Sequence, residues 1–275
     1  MNIPAIETPN IRMPRLGLGT WPMKGQDCTT AVESALALGY RHIDTAEMYG
    51  NEEAVGLGLA ASGLPRGEIF LTTKIWNDKT NGAAIRTAFD ACLKRLATPY
   101  VDLLLIHWPS PELDLPDALA GLAAIRAEGR AKAIGVSNFP PKLLQRAVDQ
   151  GVGLACLQVE CHALLDQSKL LEICRANAMA LTAYSPLGKG NAPNEPALQA
   201  IAQKHGATAA QVALAWLLAQ PGVAMVPKAA SPARQAENLA ALKLTLDAAD
   251  MAAIAALPKD RRFVNPAMAP DWANG

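Results

Sequence analysis

The chain has 275 residues, 51% of them apolar and 18% charged, with 25 basic side chains against 25 acidic ones. That apolar fraction fills a sizeable core and excludes a disordered chain. The even charge balance excludes the basic excess that nucleic-acid and anionic membrane surfaces require. The opening residues carry no charged start followed by an apolar stretch. The longest apolar run, residues 212–219, is far short of the ~20 residues that span a bilayer. Five cysteines (Cys28, Cys92, Cys156, Cys161 and Cys174) form no C-x-x-C pair. The expectation is a cytoplasmic, monomeric protein with reduced thiols and a small-molecule partner.

In chain order, Pro9-Asn10 is a turn signal within residues 3–12 and predicts a hairpin. Eight short apolar runs follow, at 16–20, 41–45, 69–74, 101–107, 133–138, 156–160, 180–185 and 223–228. Their nearly continuous apolar character predicts strands buried on both faces. Between the third and fourth, Ile85, Ala88, Phe89, Cys92, Leu93 and Leu96 fall on one helical stripe. Helices are also predicted over 27–38, 51–61, 116–128, 142–150, 167–177, 196–205 and 247–256. Thr208 with Gln211 has capping-box spacing before the apolar run at 212, and Ser231-Pro232 reads as an N-cap followed by proline at the first helical position. Eight β–α repeats without a linker predict an α/β fold, a single (β/α)8 TIM barrel over 1–275, with the N-terminal β-hairpin at the barrel bottom. The rival open sheet would carry G-x-G-x-x-G after its first strand if it bound a dinucleotide, and Gly17-Leu18-Gly19-Thr20-Trp21-Pro22 lacks the third glycine.

The strands end on reactive groups: Asp44, Lys74, His107, Ser137-Asn138, Tyr184-Ser185 and Lys228, with Gln158 and Glu160 on the sixth. A parallel barrel gathers these ends on one face, where barrel active sites lie. Lys74 after an apolar run needs a countercharge, and Asp44, one strand over, supplies it; taken alone, the pair is a structural salt bridge. Tyr49 adds chemistry. A phenol is a poor donor near neutrality, and an adjoining ammonium is expected to lower its pKa toward the range useful for acid–base work. With His107 on the same oxygen, the set suits protonation of a carbonyl oxygen. No His/Cys/Asp cluster has metal-ligand spacing, so no metal is expected; His42 and His162 are read as packed or surface side chains. The helix entered at Ser231 presents free N–H groups near Lys228 and Arg234, an anion site. Trp21, Trp76 and Trp108 follow strands and Trp272 lies in the tail, which together suggest an aromatic-walled pocket. Arg262 either meets a substrate carboxylate or pairs with an acidic neighbour.

The segments 39–53 (GYRHIDTAEMYGNEE), 71–74 (LTTK), 104–109 (LLIHWP), 134–139 (IGVSNF), 183–188 (AYSPLG) and 226–239 (VPKAASPARQAENL) resemble the aldo-keto reductase family, collinearly from about residue 16 to 239. Within it, the tail from Asp260 to Trp272 looks most like the bacterial 2,5-diketo-D-gluconate reductases of B type. The resemblance implies NADPH-dependent reduction of small aldehydes and ketones, dicarbonyls such as methylglyoxal or diketo-gluconate among them. Tyr49 would be the proton donor, Lys74 and Asp44 its activators, and His107 the group orienting the carbonyl. It implies a nicotinamide site from Ser137, Asn138, Gln158 and Tyr184, with Thr20, Trp21 and Asp44 also binding the cofactor. Ser185, Leu187 and Gly188 would lie at the pyrophosphate, Lys228, Ala229 and Arg234 at the 2′-phosphate, and Glu237 and Asn238 at the adenine. Ala229 stands where a hydroxyl residue is frequent, which leaves NADH possible. The alternative function is an NADPH-binding regulatory subunit of the same fold with little turnover.

Overall fold

The computed structural model describes residues 3–272. Strands β1 (Ala5–Thr8) and β2 (Ile11–Pro14) pair antiparallel around the Pro9-Asn10 turn. Eight strands follow: β3 (Leu18–Gly19), β4 (His42–Asp44), β5 (Phe70–Ile75), β6 (Val101–Ile106), β7 (Ala131–Ser137), β8 (Cys156–Glu160), β9 (Ala180–Tyr184) and β10 (Val223–Met225). They lie side by side in sequence order, all parallel. The sheet closes where β3 meets β10, through parallel bridges Leu16–Met225 and Gly19–Lys228. A side chain at Gly19 would come 2.5 Å from the Val226 carbonyl, so this seam needs a residue without Cβ.

The first and last strands are shorter than the apolar runs suggest, two and three residues. Pro227 has no N–H to continue the ladder, and the seam instead uses the Pro227 carbonyl, which accepts from the Gly19 N–H at 3.1 Å.

Helices wrap the outside: α1 (Gly25–Ala37), α2 (Glu52–Ala61), α3 (Gly82–Arg95), α4 (Leu115–Ala127), α5 (Pro141–Val148), α6 (Ser168–Ala176), α7 (Pro196–His205), α8 (Ala209–Leu218), α9 (Pro232–Ala240) and α10 (Ala248–Ala255). Their starts follow local chemistry. The Thr208–Gln211 capping box is formed, Ser231 caps α9, and Asp247 with Asp250 makes a second box at α10; each cap satisfies N–H groups that the first turn leaves unpaired.

Alternation along the strands sorts the side chains. Outward residues such as Leu71, Leu104, Ile106, Leu157 and Val159 pack against the helices. At the bottom, Ile6, Ile11 and Met13 of the hairpin plug the barrel against Leu103, Leu105, Ala133, Cys156 and Ala180. Toward the carboxyl ends of β4, β5 and β8, the inward positions are Asp44, Lys74 and Gln158, all buried. The barrel is thus greasy at the bottom and polar at the top, so its chemistry sits at the carboxyl ends.

Candidate active site

Tyr49 lies on a single 3-10 turn, Glu47–Tyr49, between β4 and α2, closed by Gly50 at φ +58°. Lys24 donates to the Tyr49 carbonyl. Behind the turn, Asn51 accepts from the Thr45 hydroxyl at 2.7 Å and donates to the carbonyls of Met23 and Thr20. The turn is therefore braced from the loops after both β3 and β4.

Lys74 has no exposed surface. Its ammonium gives three hydrogen bonds, to Asp44 Oδ1 at 2.6 Å, the Thr45 carbonyl at 2.9 Å and the Tyr49 hydroxyl at 3.2 Å. Three donors and three acceptors leave nothing unmet. The other Asp44 oxygen accepts from Gln158 Nε2 at 2.8 Å. Burial pulls the Lys74 pKa down, but Asp44 and Tyr49 outweigh it and hold the amine above its ordinary value. Lys74 is a fixed cation.

The expected lowering of the Tyr49 pKa is not what the structure gives. Desolvation pushes the phenol above its ordinary value, Lys74 pulls it down by charge and by its hydrogen bond, and Asp44 adds to the rise. Asp44 works against the Lys74 charge, and burial, the largest of these effects, prevails. The phenol stays protonated; the ammonium lowers the cost of the phenolate relative to a site without it.

His107 follows β6. Burial, with the Lys74 charge behind it, holds its pKa well below the usual histidine range, so the imidazole is neutral near pH 7. Its ring lies 5.5 Å from Tyr49 and 5.3 Å from Trp76, edge to face in both cases. The Trp21 ring also packs on Tyr49, tilted, at 5.2 Å.

These groups open into a cavity of 520 Å³. Of the expected site residues, Thr20, Trp21, Asp44, Tyr49, Trp76, His107, Trp108, Asn138, Gln158, Tyr184, Ser185 and Lys228 line it. Asn138, at φ +62°, donates to the His107 carbonyl and to Ser137 Oγ, and accepts from the Tyr184 hydroxyl at 2.7 Å. Ser137 is buried behind it. Leu187, Gly188, Ala229, Arg234, Glu237 and Asn238 are not on the lining. Gly188 holds φ +56° under the Phe263 ring, Ala229 and Asn238 are buried, and Arg234 pairs with Glu237 at 2.6 Å.

Trp272 is also off the lining. It packs edge-on against Trp108 at 6.2 Å, beneath the Arg262 guanidinium at 3.7 Å, and so backs the wall without forming it. Arg262 faces an acidic neighbour, Glu160, at 3.8 Å. His42 and His162 are packed: His42 bonds Thr72 at 3.0 Å and His162 bonds Glu160 at 3.1 Å. Among the described residues, no group of His, Cys, Asp and Glu is placed to hold a metal ion, and no helix is long and apolar enough to cross a membrane.

Several lining residues carry no signal in strand-end reasoning. Phe263, Val264, Asn265, Pro266 and Met268 come from the irregular tail, and Met48 and Lys189 from loops. The tail lies outside the β–α repeat, so only the fold brings it to the barrel mouth.

The model of the Aldo/keto reductase family matches residues 15–259. The chain belongs to the aldo-keto reductase family. This aldo-keto reductase is similar to the methylglyoxal reductase DkgB of Yersinia pestis, 40% identical over 266 residues that cover 94% of this chain and 99% of that protein. It is 42% identical to an aldo-keto reductase of Mycobacterium sp. (strain KMS), covering 91% of each chain. Among solved structures, a protein provisionally assigned as a 2,5-diketo-D-gluconic acid reductase B superposes with a TM-score of 0.95 at 39% identity, covering 98% of each chain. This aldo-keto reductase is therefore an oxidoreductase whose relatives reduce carbonyl compounds.

Proposed function

We propose that this enzyme reduces small aldehydes and ketones, dicarbonyls of the methylglyoxal kind among them, with NADPH as the reductant and Tyr49 as the proton donor. The single observation that carries the reading is the Tyr49 hydroxyl 3.2 Å from a fully buried Lys74 ammonium, at the wall of an aromatic-lined cavity.

The donor set suits a nicotinamide dinucleotide. Both N–H groups of Asn138 are engaged within the protein, so towards a carboxamide this side chain would act as an acceptor. Gln158 and Ser137 would complete that subsite, and the Tyr184 ring would stack on the nicotinamide. Thr20, Trp21 and Asp44 border the same space. Ser185, Leu187 and Gly188 would hold the pyrophosphate. Lys228, exposed at the cavity edge, and Arg234, on the first turn of the Ser231-capped helix α9, suit the 2′-phosphate. The buried Ala229 offers no hydroxyl there, and NADH remains a weaker alternative. Glu237 and Asn238 would border the adenine.

When bound, the cofactor supplies hydride to the carbonyl carbon. The protein's share is the oxygen. Neutral His107, after β6, and the Tyr49 hydroxyl, on the turn after β4, converge on the cavity from either side of β5, and Tyr49 gives its proton to the oxygen as negative charge builds there. The phenolate left behind lies against the Lys74 ammonium, whose charge Asp44 keeps in place. Trp21, Trp76 and Trp108 exclude water and wall the substrate, with Trp272 behind Trp108. The enzyme is proposed to work as a cytoplasmic monomer.

A panel of aldehydes, ketones and dicarbonyls assayed with NADPH and with NADH tests the reading. Expected is steady NADPH oxidation with at least one dicarbonyl and slower oxidation of NADH. Cofactor binding without turnover on any carbonyl would instead support the regulatory-subunit alternative.

A further inference from the structure

The tail that walls the cavity is tied to the barrel at one buried carboxylate. Glu160, the last residue of β8, has no exposed surface. Its two oxygens accept from consecutive backbone N–H groups of the tail, Phe263 at 2.8 Å and Val264 at 3.0 Å. His162 approaches the first oxygen at 3.1 Å, and its other ring nitrogen accepts from the Leu164 N–H, which makes Nε2 the donor to Glu160. These hydrogen bonds outweigh the burial penalty and hold the Glu160 carboxyl below its ordinary pKa. Upstream, the loop after β8 is zipped to the start of the tail by Asp166 N–H to the Lys259 carbonyl and Arg261 N–H to the Leu164 carbonyl. Downstream of Val264, the segment runs on through Asn265, Pro266 and Met268 along the cavity. Glu160 itself is not on the cavity lining.

We infer that Glu160 is a positioning residue for the substrate: by fixing Phe263 and Val264 it places the tail wall of the cavity, and it sets which substituents beyond the reacting carbonyl are accepted. This rests on the carbonyl-reductase reading above. A carboxylate meets the geometry because it presents two acceptors and no donor; an amide would turn an N–H toward one of the tail N–H groups. The effect runs through the tail, so it belongs in the KM of substrates long enough to reach it.

The test compares Glu160→Gln with wild type on methylglyoxal and on the bulkier phenylglyoxal, together with NADPH binding by fluorescence quenching and trypsin cleavage of the Arg262–Phe263 bond. Expected are faster cleavage at that bond and a KM for phenylglyoxal raised roughly tenfold, the scale of a lost charged hydrogen bond. The methylglyoxal KM, both kcat values and the NADPH affinity stay within about twofold, by the same measure of an interaction uniform in ground and transition state. Val264→Pro removes one tail N–H without touching the buried carboxylate and keeps the test open if Glu160→Gln fails to fold; it should likewise speed cleavage and raise the phenylglyoxal KM, while Val264→Ala, which keeps the N–H, should leave cleavage at the wild-type rate. Unchanged cleavage, or faster cleavage with the phenylglyoxal KM unmoved, overturns the inference, as does a fall in kcat and NADPH affinity together. If the wild-type enzyme reduces neither dicarbonyl, the reaction reading fails, and the cleavage comparison still decides whether Glu160 holds the tail.

Discussion

Cations stand in two places about the same cavity, one behind its wall and one at its edge, and are held in contrasting ways. At the β4–β5 corner, Lys74 is sealed from solvent and gives all three of its N–H groups to Asp44, Thr45 and Tyr49. At the β10–α9 rim, Lys228 is exposed and Arg234 stands largely in solvent, paired with Glu237 on its own helix. In the first place, charge is held by geometry and cannot move, so chemistry and folding depend on the same bonds. In the second, the Lys228 charge is exposed to a ligand, so a change there should alter affinity and leave the fold alone.

The sharpest way to break this contrast is to remove the buried cation. Lys74→Met strands the Asp44 carboxylate in the barrel, and breaking one side of a buried pair costs about 3–5 kcal/mol. Denaturant unfolding should show that loss, and carbonyl reduction should fall with it. The double variant Asp44→Asn/Lys74→Met should recover most of the stability and none of the turnover. A double variant as unstable as the single one would show that the pair is not the unit described.

Acid should expose the same corner. Desolvation holds His42 down to about 4 and His107 well below the usual range, while both would titrate near about 6.5 in the unfolded chain. Below that value the unfolded state binds the extra protons, so stability falls as pH drops from about 6.5 toward the folded pKa, by about 1.4 kcal/mol per pH unit for each histidine. Above about 6.5 these groups contribute no slope. Urea midpoints from pH 7 to 4.5 should show the slope, and His42→Gln should remove one histidine's share of it; an unchanged slope would contradict the assignment.

The smallest effect is expected at the rim. Lys228→Ala should weaken NADPH by roughly tenfold, the scale of one charge-assisted phosphate contact, with NADH affinity and thermal stability unchanged. Equal loss for both cofactors would place Lys228 away from the 2′-phosphate.

The same contrast explains how much could be read from the chain. Strand ends on a parallel barrel share one face by topology, so Asp44, Lys74, His107 and Gln158 could be gathered from their spacing alone. The caps at Thr208 and Ser231 were equally local and are formed. The sign of the Tyr49 shift was not legible, because it depends on how far desolvation exceeds the field of an ammonium that Asp44 opposes. The tail was illegible for another reason. It has no periodicity, and its place over the cavity is set by Glu160 on a strand roughly a hundred residues earlier in the chain, a long-range contact with no local signature. Trp272 shows the consequence: its residue type suggested a pocket wall, and the packing places it behind Trp108.

The most direct test of Tyr49 as the proposed proton donor is Tyr49→Phe, assayed in parallel for NADPH binding and for steady-state reduction of a dicarbonyl. The variant keeps the ring between Trp21 and His107 and loses only the hydroxyl beside Lys74. NADPH binding should stay as in the wild type and kcat should fall by about 10²–10⁴-fold, the usual contribution of a positioned general acid. Turnover within a few-fold of wild type would contradict that role.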